Sequence, residues 1–370
     1  MLPTCVIEDL NELGLDVQSD ALRPQAGLSG AEVYRIGGYC VKGHSRASLS
    51  RLVTLHRAQK RWAESLDADS LDGESLKCVP RLLAWPRSLG SSCPTVLVVN
   101  QSARDSKDGR DIHSCWECME WMAGESIASI GGVTCEQIRS VAFSLGRLHR
   151  VARRWSAHAQ AENNFDERMA ERNRLLRQLV QSGFQLQRRR LKTLEMPTEL
   201  SRFVSMAEEA LGCAERIATA SLEAMQRLAH RDGPRHWVHG DAWRGNWLFR
   251  GERVSGLIDF SQAAVRWPGF DFARAIGSMA LSDDTSRWQD AWEHYCRALG
   301  DPGYLLDEAI LMHRVSMVLT LCWYLEHPPW HEGANDPSLD RLQEVCRQLT
   351  SAGRIAPGVW IPELPDSQDS

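Results

Sequence analysis

The hydrophobic pattern of this chain changes near residue 134, and the change limits the folds that the chain can adopt. Before that point, as in residues 22–42 and 95–121, short apolar runs alternate with turn-forming residues, which is typical of antiparallel strands. From Thr134 onward, apolar residues recur at helical spacing, and Thr134 with Gln137 forms a capping box. We therefore predict an α+β protein with a sheet-rich first part, which includes one helix, and a mainly helical remainder.

Composition and charge narrow the classes of partner. The chain has 370 residues, and 43 Lys and Arg against 48 Asp and Glu give a formal net charge of −5. This balance argues against nucleic acid as the main partner. The sequence shows neither a secretory leader nor an apolar stretch of membrane-spanning length, so we expect a cytoplasmic protein without membrane contact. Eleven scattered cysteines fit free thiols in a reducing compartment.

The first predicted hairpin turns at Gly37-Gly38. A two-residue turn at this position places Val33 opposite Lys42. Lys42 would then lie close to the glycine-containing loop at 27–30.

A second hairpin interrupts the helical second half. With a turn at 250–253, counting back along the strands brings Asn246 opposite Leu257, so Asp259 lies within a residue or two of Asn246. Amide and carboxylate oxygens are hard donors that suit Mg²⁺, whose other ligands are water and phosphate oxygens. Asp241, on the same loop as Asn246, would orient an attacking hydroxyl. The three groups together indicate phosphoryl transfer from a magnesium nucleotide.

This segment resembles a known family. Residues 239–246, with the sequence HGDAWRGN, are followed by the hairpin and then by Ile258-Asp259-Phe260. Their order and spacing resemble the motif of the aminoglycoside phosphotransferase and choline kinase-like enzymes. The resemblance implies a protein-kinase-like two-lobed fold with a small antiparallel-sheet N-terminal lobe. It divides the chain into this nucleotide-binding lobe at 1–121, a hinge at about 119–124, a larger catalytic and acceptor-binding lobe at 122–355, and a loose tail at 356–370.

The resemblance also implies roles for individual residues. Asp241 corresponds to the catalytic base, and Asn246 and Asp259 correspond to the Mg²⁺ ligands. Asp271 corresponds to a structural carboxylate that braces the catalytic loop. The implied nucleotide contacts are the covering loop, the strand lysine that reaches the phosphates and the hinge: Gly27, Ser29, Gly30, Lys42, Met119 and Trp121.

One position departs from the family pattern. The family usually pairs the strand lysine with a glutamate on the following helix, but residues 52–59 of this chain contain no acidic residue. Glu64 lies about two turns beyond His56, which makes it a poor substitute. Lys42 must therefore find another carboxylate or contact phosphate directly.

The resulting hypothesis is a Mg²⁺-dependent small-molecule kinase that moves the γ-phosphoryl group of ATP, or alternatively GTP, to a hydroxyl of an aminoglycoside, amino alcohol or sugar. One alternative is a nucleotide-binding regulatory protein with impaired catalysis, which the missing helix glutamate favours. Another is a metal-dependent hydrolase with His239, Asp241 and Asp259 as ligands.

A cationic acceptor is one hypothesis for the small molecule. Indole faces and carboxylates bind cations, although tryptophans are also common in protein cores. The residues on which this hypothesis rests are Asp283, Asp284, Trp288, Asp290, Trp292, Glu293, Trp323 and Trp330.

Overall fold

The structure is a computed structural model, and within it the chain forms two compact units. One unit is Met1–Gly132 with Gly245–Ala264, and the other is Val133–Arg244 with Val265–Ser370. The residues that the structure describes are 2–15, 17, 24–25, 32–44, 49–69, 77–84, 95, 97–101, 112–127, 132–156, 167–193, 201–230, 233–280, 284–327 and 337–353.

Within its described residues, the first unit contains a five-stranded and a three-stranded antiparallel sheet, with two helices. Its elements are α1 (Thr4–Glu12), β1 (Pro24–Gln25), β2 (Glu32–Ile36), β3 (Tyr39–His44), α2 (Leu49–Ala68), β4 (Leu97–Gln101), β5 (Ile112–Glu120), β6 (Glu125–Ser126), β8 (Trp247–Arg250) and β9 (Arg253–Leu257). The strand orders are β1-β2-β3-β5-β4 and β6-β8-β9.

The division into units differs from the predicted lobe boundary near residue 121. Glu125 pairs with Phe249, so the ladder of hydrogen bonds between β6 and β8 holds the second hairpin in the first unit. Trp62 of α2 also packs on Phe260, just after that hairpin, with the ring centroids 5.5 Å apart.

The structure confirms the predicted register of the first hairpin. Val33 lies opposite Lys42, as the Gly37-Gly38 turn predicts. Gly37 has φ +56°, in the left-handed region that this turn requires and that glycine adopts without strain.

The predicted register of the second hairpin is wrong by one residue at the open end of the hairpin. Phe249 pairs with Val254, but a β-bulge follows, so Trp247 rather than Asn246 lies opposite Leu257. The extra residue is Ser255, whose hydroxyl donates to the carbonyl of Ala123 at 2.7 Å. The bulge therefore advances the second strand by one residue.

The second unit is mainly helical. The predicted capping box is confirmed, because the Gln137 N–H donates to the Thr134 hydroxyl at 3.1 Å and the Thr134 N–H donates to the Gln137 amide oxygen at 3.0 Å. The elements of the second unit are α3 (Cys135–Ser156), α4 (Glu167–Gln178), α5 (Phe184–Thr193), α6 (Ser201–His230), β7 (His236–Val238), β10 (Ala264–Arg266), α7 (Gly269–Gly277), α8 (Thr285–Leu299), α9 (Leu306–Glu326) and α10 (Pro337–Gly353).

The core of the second unit forms where the helical pattern predicts it. The apolar stripe of α3, including Ile138, Leu145 and Leu148, is buried, as are Val315 and Val318 of α9. Among the described helices, none is long and apolar enough to cross a membrane.

Candidate active site

Lys42 of β3 forms an ion pair with Asp259 in the first unit. Its ammonium nitrogen donates to the Oδ1 atom at 2.8 Å, although 217 positions separate the two residues. Burial alone would lower the pKa of Lys42, but the nearby carboxylates of Asp259 and Glu117 outweigh it and raise the pKa. The lysine therefore remains charged, and it takes a carboxylate from the second hairpin in place of a helix glutamate.

Asn246 lies beside Asp259 at the open end of the second hairpin. The Ile258 N–H donates to the carbonyl of Asn246 at 3.0 Å, and Asp259 is the next residue along the chain. Asp259 has φ +62°, which turns the chain sharply after β9. The predicted proximity of the two residues is confirmed, although through Ile258 rather than Leu257.

The donor chemistry of Asn246 and Asp259 fits a hard divalent cation. One amide oxygen and one carboxylate suit Mg²⁺, which keeps phosphate and water oxygens as its other ligands. Across the described part of the chain, no group of three or more His, Cys, Asp or Glu side chains is arranged to hold a metal ion.

A buried carboxylate lies beside Lys42 on the neighbouring strand. Glu117 of β5 is the cross-strand partner of Lys42, so both side chains lie on one face of the sheet. Its two oxygens are bound by His44 Nε2 at 2.8 Å and His56 Nε2 at 2.5 Å. Burial alone would raise the pKa of Glu117, but the two histidine hydrogen bonds outweigh it and hold the pKa well below its usual range.

His56 lies in the helix segment from which the acidic residue is missing. Its other ring nitrogen, Nδ1, lies 2.7 Å from the hydroxyl of Thr95, so the imidazole is held on both sides. Glu64, by contrast, is 64% exposed and pairs with Lys60 at 3.9 Å. Glu64 is therefore not the partner of Lys42.

In the second unit, Asp271 of α7 organises the loop that carries Asp241. Its carboxylate accepts the backbone N–H of His239 at 2.6 Å and of Gly240 at 2.8 Å. His149 Nε2 lies 3.3 Å from the same carboxylate. Burial alone would raise the pKa of Asp271, but the hydrogen bond and charge of His149 outweigh it and lower the pKa. The bracing that the resemblance implies is observed.

The buried side chain of His239 stabilises the loop that carries Asp241. The Asp241 N–H donates to His239 Nδ1 at 3.3 Å, and the imidazole is fully buried. This position favours a bracing role for His239 and does not support the metal-ligand role that the hydrolase alternative requires.

Asp241 is bound by an arginine that the sequence does not single out. Arg274 of α7 approaches Oδ1 of Asp241 with both Nε and Nη2, at 3.2 Å each. Arg274 follows Asp271 by one turn of the same helix, so α7 contacts the loop at two positions. The helical spacing of Asp271 and Arg274 was the only signal in the sequence that could have revealed this contact.

The remaining predicted nucleotide contacts fall into two groups. Trp121 donates its backbone N–H to the carbonyl of Gly38 at 2.8 Å, and Met119 is the cross-strand partner of Cys40. Both therefore continue the sheet, and their contact with adenine stays a prediction. Gly27, Ser29 and Gly30 lie outside the described residues, as do Asp283, Trp330 and the tail at 356–370.

Several of the features that suggested a cationic acceptor have other contacts in the structure, whereas Trp323 of α9 is 54% exposed. Trp288 is fully buried in the second unit. Asp284 binds Arg287 at 3.0 Å, and Asp290 binds Arg139 at 2.7 Å. These carboxylates are already paired, so they do not offer a free anionic site.

Solved structures with the same fold confirm the predicted α+β, protein-kinase-like class. The spectinomycin phosphotransferase is 12% identical, with a TM-score of 0.59 over 95% of this chain and 98% of that one. An aminoglycoside phosphotransferase from Alicyclobacillus acidocaldarius is 16% identical, with a TM-score of 0.55 over 96% of both chains. A microcompartment-associated aminopropanol kinase is 14% identical, with a TM-score of 0.57 over 94% of this chain and 96% of that one.

A match between the sequence and a family model shows the family to which the chain belongs. The model of the phosphotransferase enzyme family (APH) matches residues 50–305, so the chain belongs to this family, as the resemblance implied. A homoserine kinase from Beijerinckia indica is 31% identical over 112 residues, which are 30% of this chain. The match spans 35% of the length of that relative.

Proposed function

We propose that the protein transfers the γ-phosphoryl group of ATP to a hydroxyl of a small molecule, with Mg²⁺ as the accompanying ion. The observation that carries the proposal is the ion pair between Lys42 and Asp259, with Asn246 one backbone hydrogen bond away. The pair brings together a phosphate-binding cation and a metal-binding carboxylate from distant parts of the sequence. GTP is the alternative nucleotide.

Each residue then has one task in the reaction. Lys42 binds the α- and β-phosphates, and Asn246 and Asp259 would hold Mg²⁺, which supplies charge neutralisation on the phosphate oxygens when bound. The acceptor hydroxyl oxygen bonds to the γ-phosphorus, and the bond from that phosphorus to the β,γ-bridging oxygen breaks. Asp241 orients the hydroxyl and takes its proton, so ADP and a phosphate ester are the products.

The names of similar proteins support this choice of acceptor class. They include kinases for aminopropanol, spectinomycin and homoserine, all of them small hydroxyl compounds. One solved structure of the same fold, an amicoumacin kinase, was obtained with AMP-PNP and Ca²⁺, which supports the use of a nucleotide and a divalent ion.

An acceptor screen with γ-labelled ATP tests the proposal. The screen covers amino sugars, amino alcohols, homoserine-like compounds and short sugars. Asp241→Asn should reduce phosphoryl transfer by about 10²–10⁴-fold while nucleotide binding is retained. Asp307→Asn, an exposed substitution on α9, is the matched control and should have wild-type activity. Nucleotide binding with no turnover on any acceptor would overturn the proposal in favour of the regulatory alternative.

A further inference from the structure

The surroundings of Asp241 hold more positive charge than this carboxylate neutralises. Arg274 binds Oδ1 of Asp241 at 3.2 Å. Arg341 of α10 lies over the indole ring of Trp243, with its guanidinium carbon 4.8 Å from the ring centroid. Arg244 follows Trp243 directly, and its backbone N–H donates to Ser278 Oγ at the end of α7 at 2.8 Å. We call Arg244, Arg274 and Arg341 the arginine cluster.

Among the residues that the structure describes, Arg274 is the one member of the arginine cluster with an acidic ion-pair partner. Arg274 pairs with Asp241, whereas the guanidinium groups of Arg244 and Arg341 form no ion pair with any residue that the structure describes. Among the groups that act electrostatically on Arg341 are Arg274, Arg244, Asp241 and Tyr324 of α9. Burial and then the charge of Arg274 lower the pKa of Arg341, and Arg244 acts in the same direction.

Two of these three guanidinium groups therefore carry positive charges that no carboxylate in the described part of the chain pairs with. Guanidinium groups on three different elements, the loop, α7 and α10, repel one another unless an anion binds between them. A single arginine suffices to hold Asp241, and Arg274 already does so. Trp243 accounts for the position of Arg341, but an indole ring carries no negative charge, so among the described residues the charges of Arg244 and Arg341 stay without an anionic partner.

We infer that the acceptor carries an acidic group, a carboxylate or a phosphate, which binds Arg244 and Arg341 while its hydroxyl faces Asp241. The inference rests on the proposed function and names the substrate class of that site. A guanidinium group matches either acid through paired hydrogen bonds. A cationic acceptor would instead meet the unpaired positive charge of the arginine cluster.

Matched acceptor pairs test the inference. Each pair differs only in the acidic group: D-glycerate against glycerol, L-serine against serinol, and glycerol 3-phosphate against glycerol for the phosphate form. Since a hydrogen bond to a charged group contributes about 1.5–3 kcal/mol, the acidic member should have a 10–150-fold higher kcat/KM. Higher kcat/KM for the neutral or cationic members would overturn the inference and leave the proposed function intact.

Variants of the arginine cluster distinguish the acceptor from the nucleotide as the source of the anion. Arg341→Gln should raise KM for the acidic acceptor about tenfold and leave KM for ATP unchanged, and Arg341→Lys should recover part of the loss. Arg244→Gln, which removes no side-chain contact in the described structure, should act in the same direction without loss of stability. Arg347→Gln, on the same helix and 64% exposed, is the matched control. A rise in KM for ATP alone would show that the arginine cluster binds the nucleotide phosphates, and would overturn the inference.

Binding measurements separate failure of the inference from failure of the proposed function. Thermal shifts are recorded for the wild-type chain and Arg341→Gln with glycerate or glycerol at constant ionic strength. Stabilisation by glycerate only, lost in Arg341→Gln, supports the inference even if no acceptor is phosphorylated. Equal shifts with glycerate and glycerol would overturn it.

Discussion

Replacement of Glu117 by glutamine keeps the shape of this buried side chain and removes its charge. The amide oxygen can still accept from one histidine, but the NH₂ group faces the other histidine nitrogen, so the charge-assisted hydrogen bond at that nitrogen is lost. A hydrogen bond to a charged group contributes about 1.5–3 kcal/mol, and the bond that remains is weakened because its acceptor is now neutral. We therefore expect Glu117→Gln to lower the free energy of unfolding by about 3 kcal/mol.

The pH dependence of this difference has a definite sign. Because the pKa of Glu117 is lowered from 4.5 in the folded chain, its ionisation stabilises the fold fully above pH 4.5. This contribution is lost as the pH falls below 4.5 toward the folded pKa. The difference in unfolding free energy between the wild-type chain and Glu117→Gln should therefore be constant near neutral pH and shrink below pH 4.5.

Urea unfolding, with hydrogen exchange of the peptides that cover α2 and β5, measures this effect. Hydrogen exchange locates the change, which matters because a chain with two compact units need not unfold in a single step. Glu64→Gln is the matched control, and its exposed i,i+4 pair with Lys60 should contribute no more than about 0.5 kcal/mol. If both variants lose the same stability, or if α2 and β5 keep their protection in Glu117→Gln, the reasoning is refuted.

Two further substitutions test the packing around α7 in the second unit. Asp271→Asn removes the charge that accepts two backbone N–H groups of the loop, and should destabilise the chain by about 3–5 kcal/mol in urea unfolding; wild-type stability would contradict the bracing role. Gly277→Ala places a methyl group against the buried ring of His313 and should cost about 1–3 kcal/mol, whereas Gly212→Ala on α6 makes only an ordinary van der Waals contact with the Arg216 side chain, at 3.9 Å, and should leave the melting temperature equal or higher. A melting temperature for Gly277→Ala at or above that of Gly212→Ala would contradict this prediction, because it would show that the His313 ring can move aside without loss of stability.

Local turn chemistry was enough to predict the first hairpin but not the second. The Gly37-Gly38 pair restricts the turn to one geometry, so counting outward gives the correct partner of Lys42. In the second hairpin the count fails at Ser255, whose hydroxyl binds Ala123, a residue more than a hundred positions earlier. The bulge depends on a tertiary contact, and no pattern within the hairpin indicates it.

The charged partners of the candidate site could not be predicted from the sequence either, because they too depend on tertiary contacts. Glu117 lies between Trp116 and Cys118 in β5, and its partners His44 and His56 are 73 and 61 positions away. The arginine cluster comes from a loop and two helices, and only the packing of α7 and α10 on α9 brings its members together. Motif spacing locates residues that share a hairpin or a helix turn, whereas ion pairs between distant elements require the tertiary structure.

The missing helix glutamate does not by itself indicate impaired catalysis. In the family pattern one glutamate would both neutralise the strand lysine and tie the following helix to the sheet. In this chain the two tasks are divided: Asp259 pairs with Lys42, while Glu117 and His56 join α2 to β5. Glu117 is also the cross-strand neighbour of Lys42, so a shift of α2 changes the electrostatic surroundings of the lysine through one intervening carboxylate. The observation that favoured a regulatory protein therefore has a structural alternative, in which the lysine keeps its charge and the helix keeps its attachment.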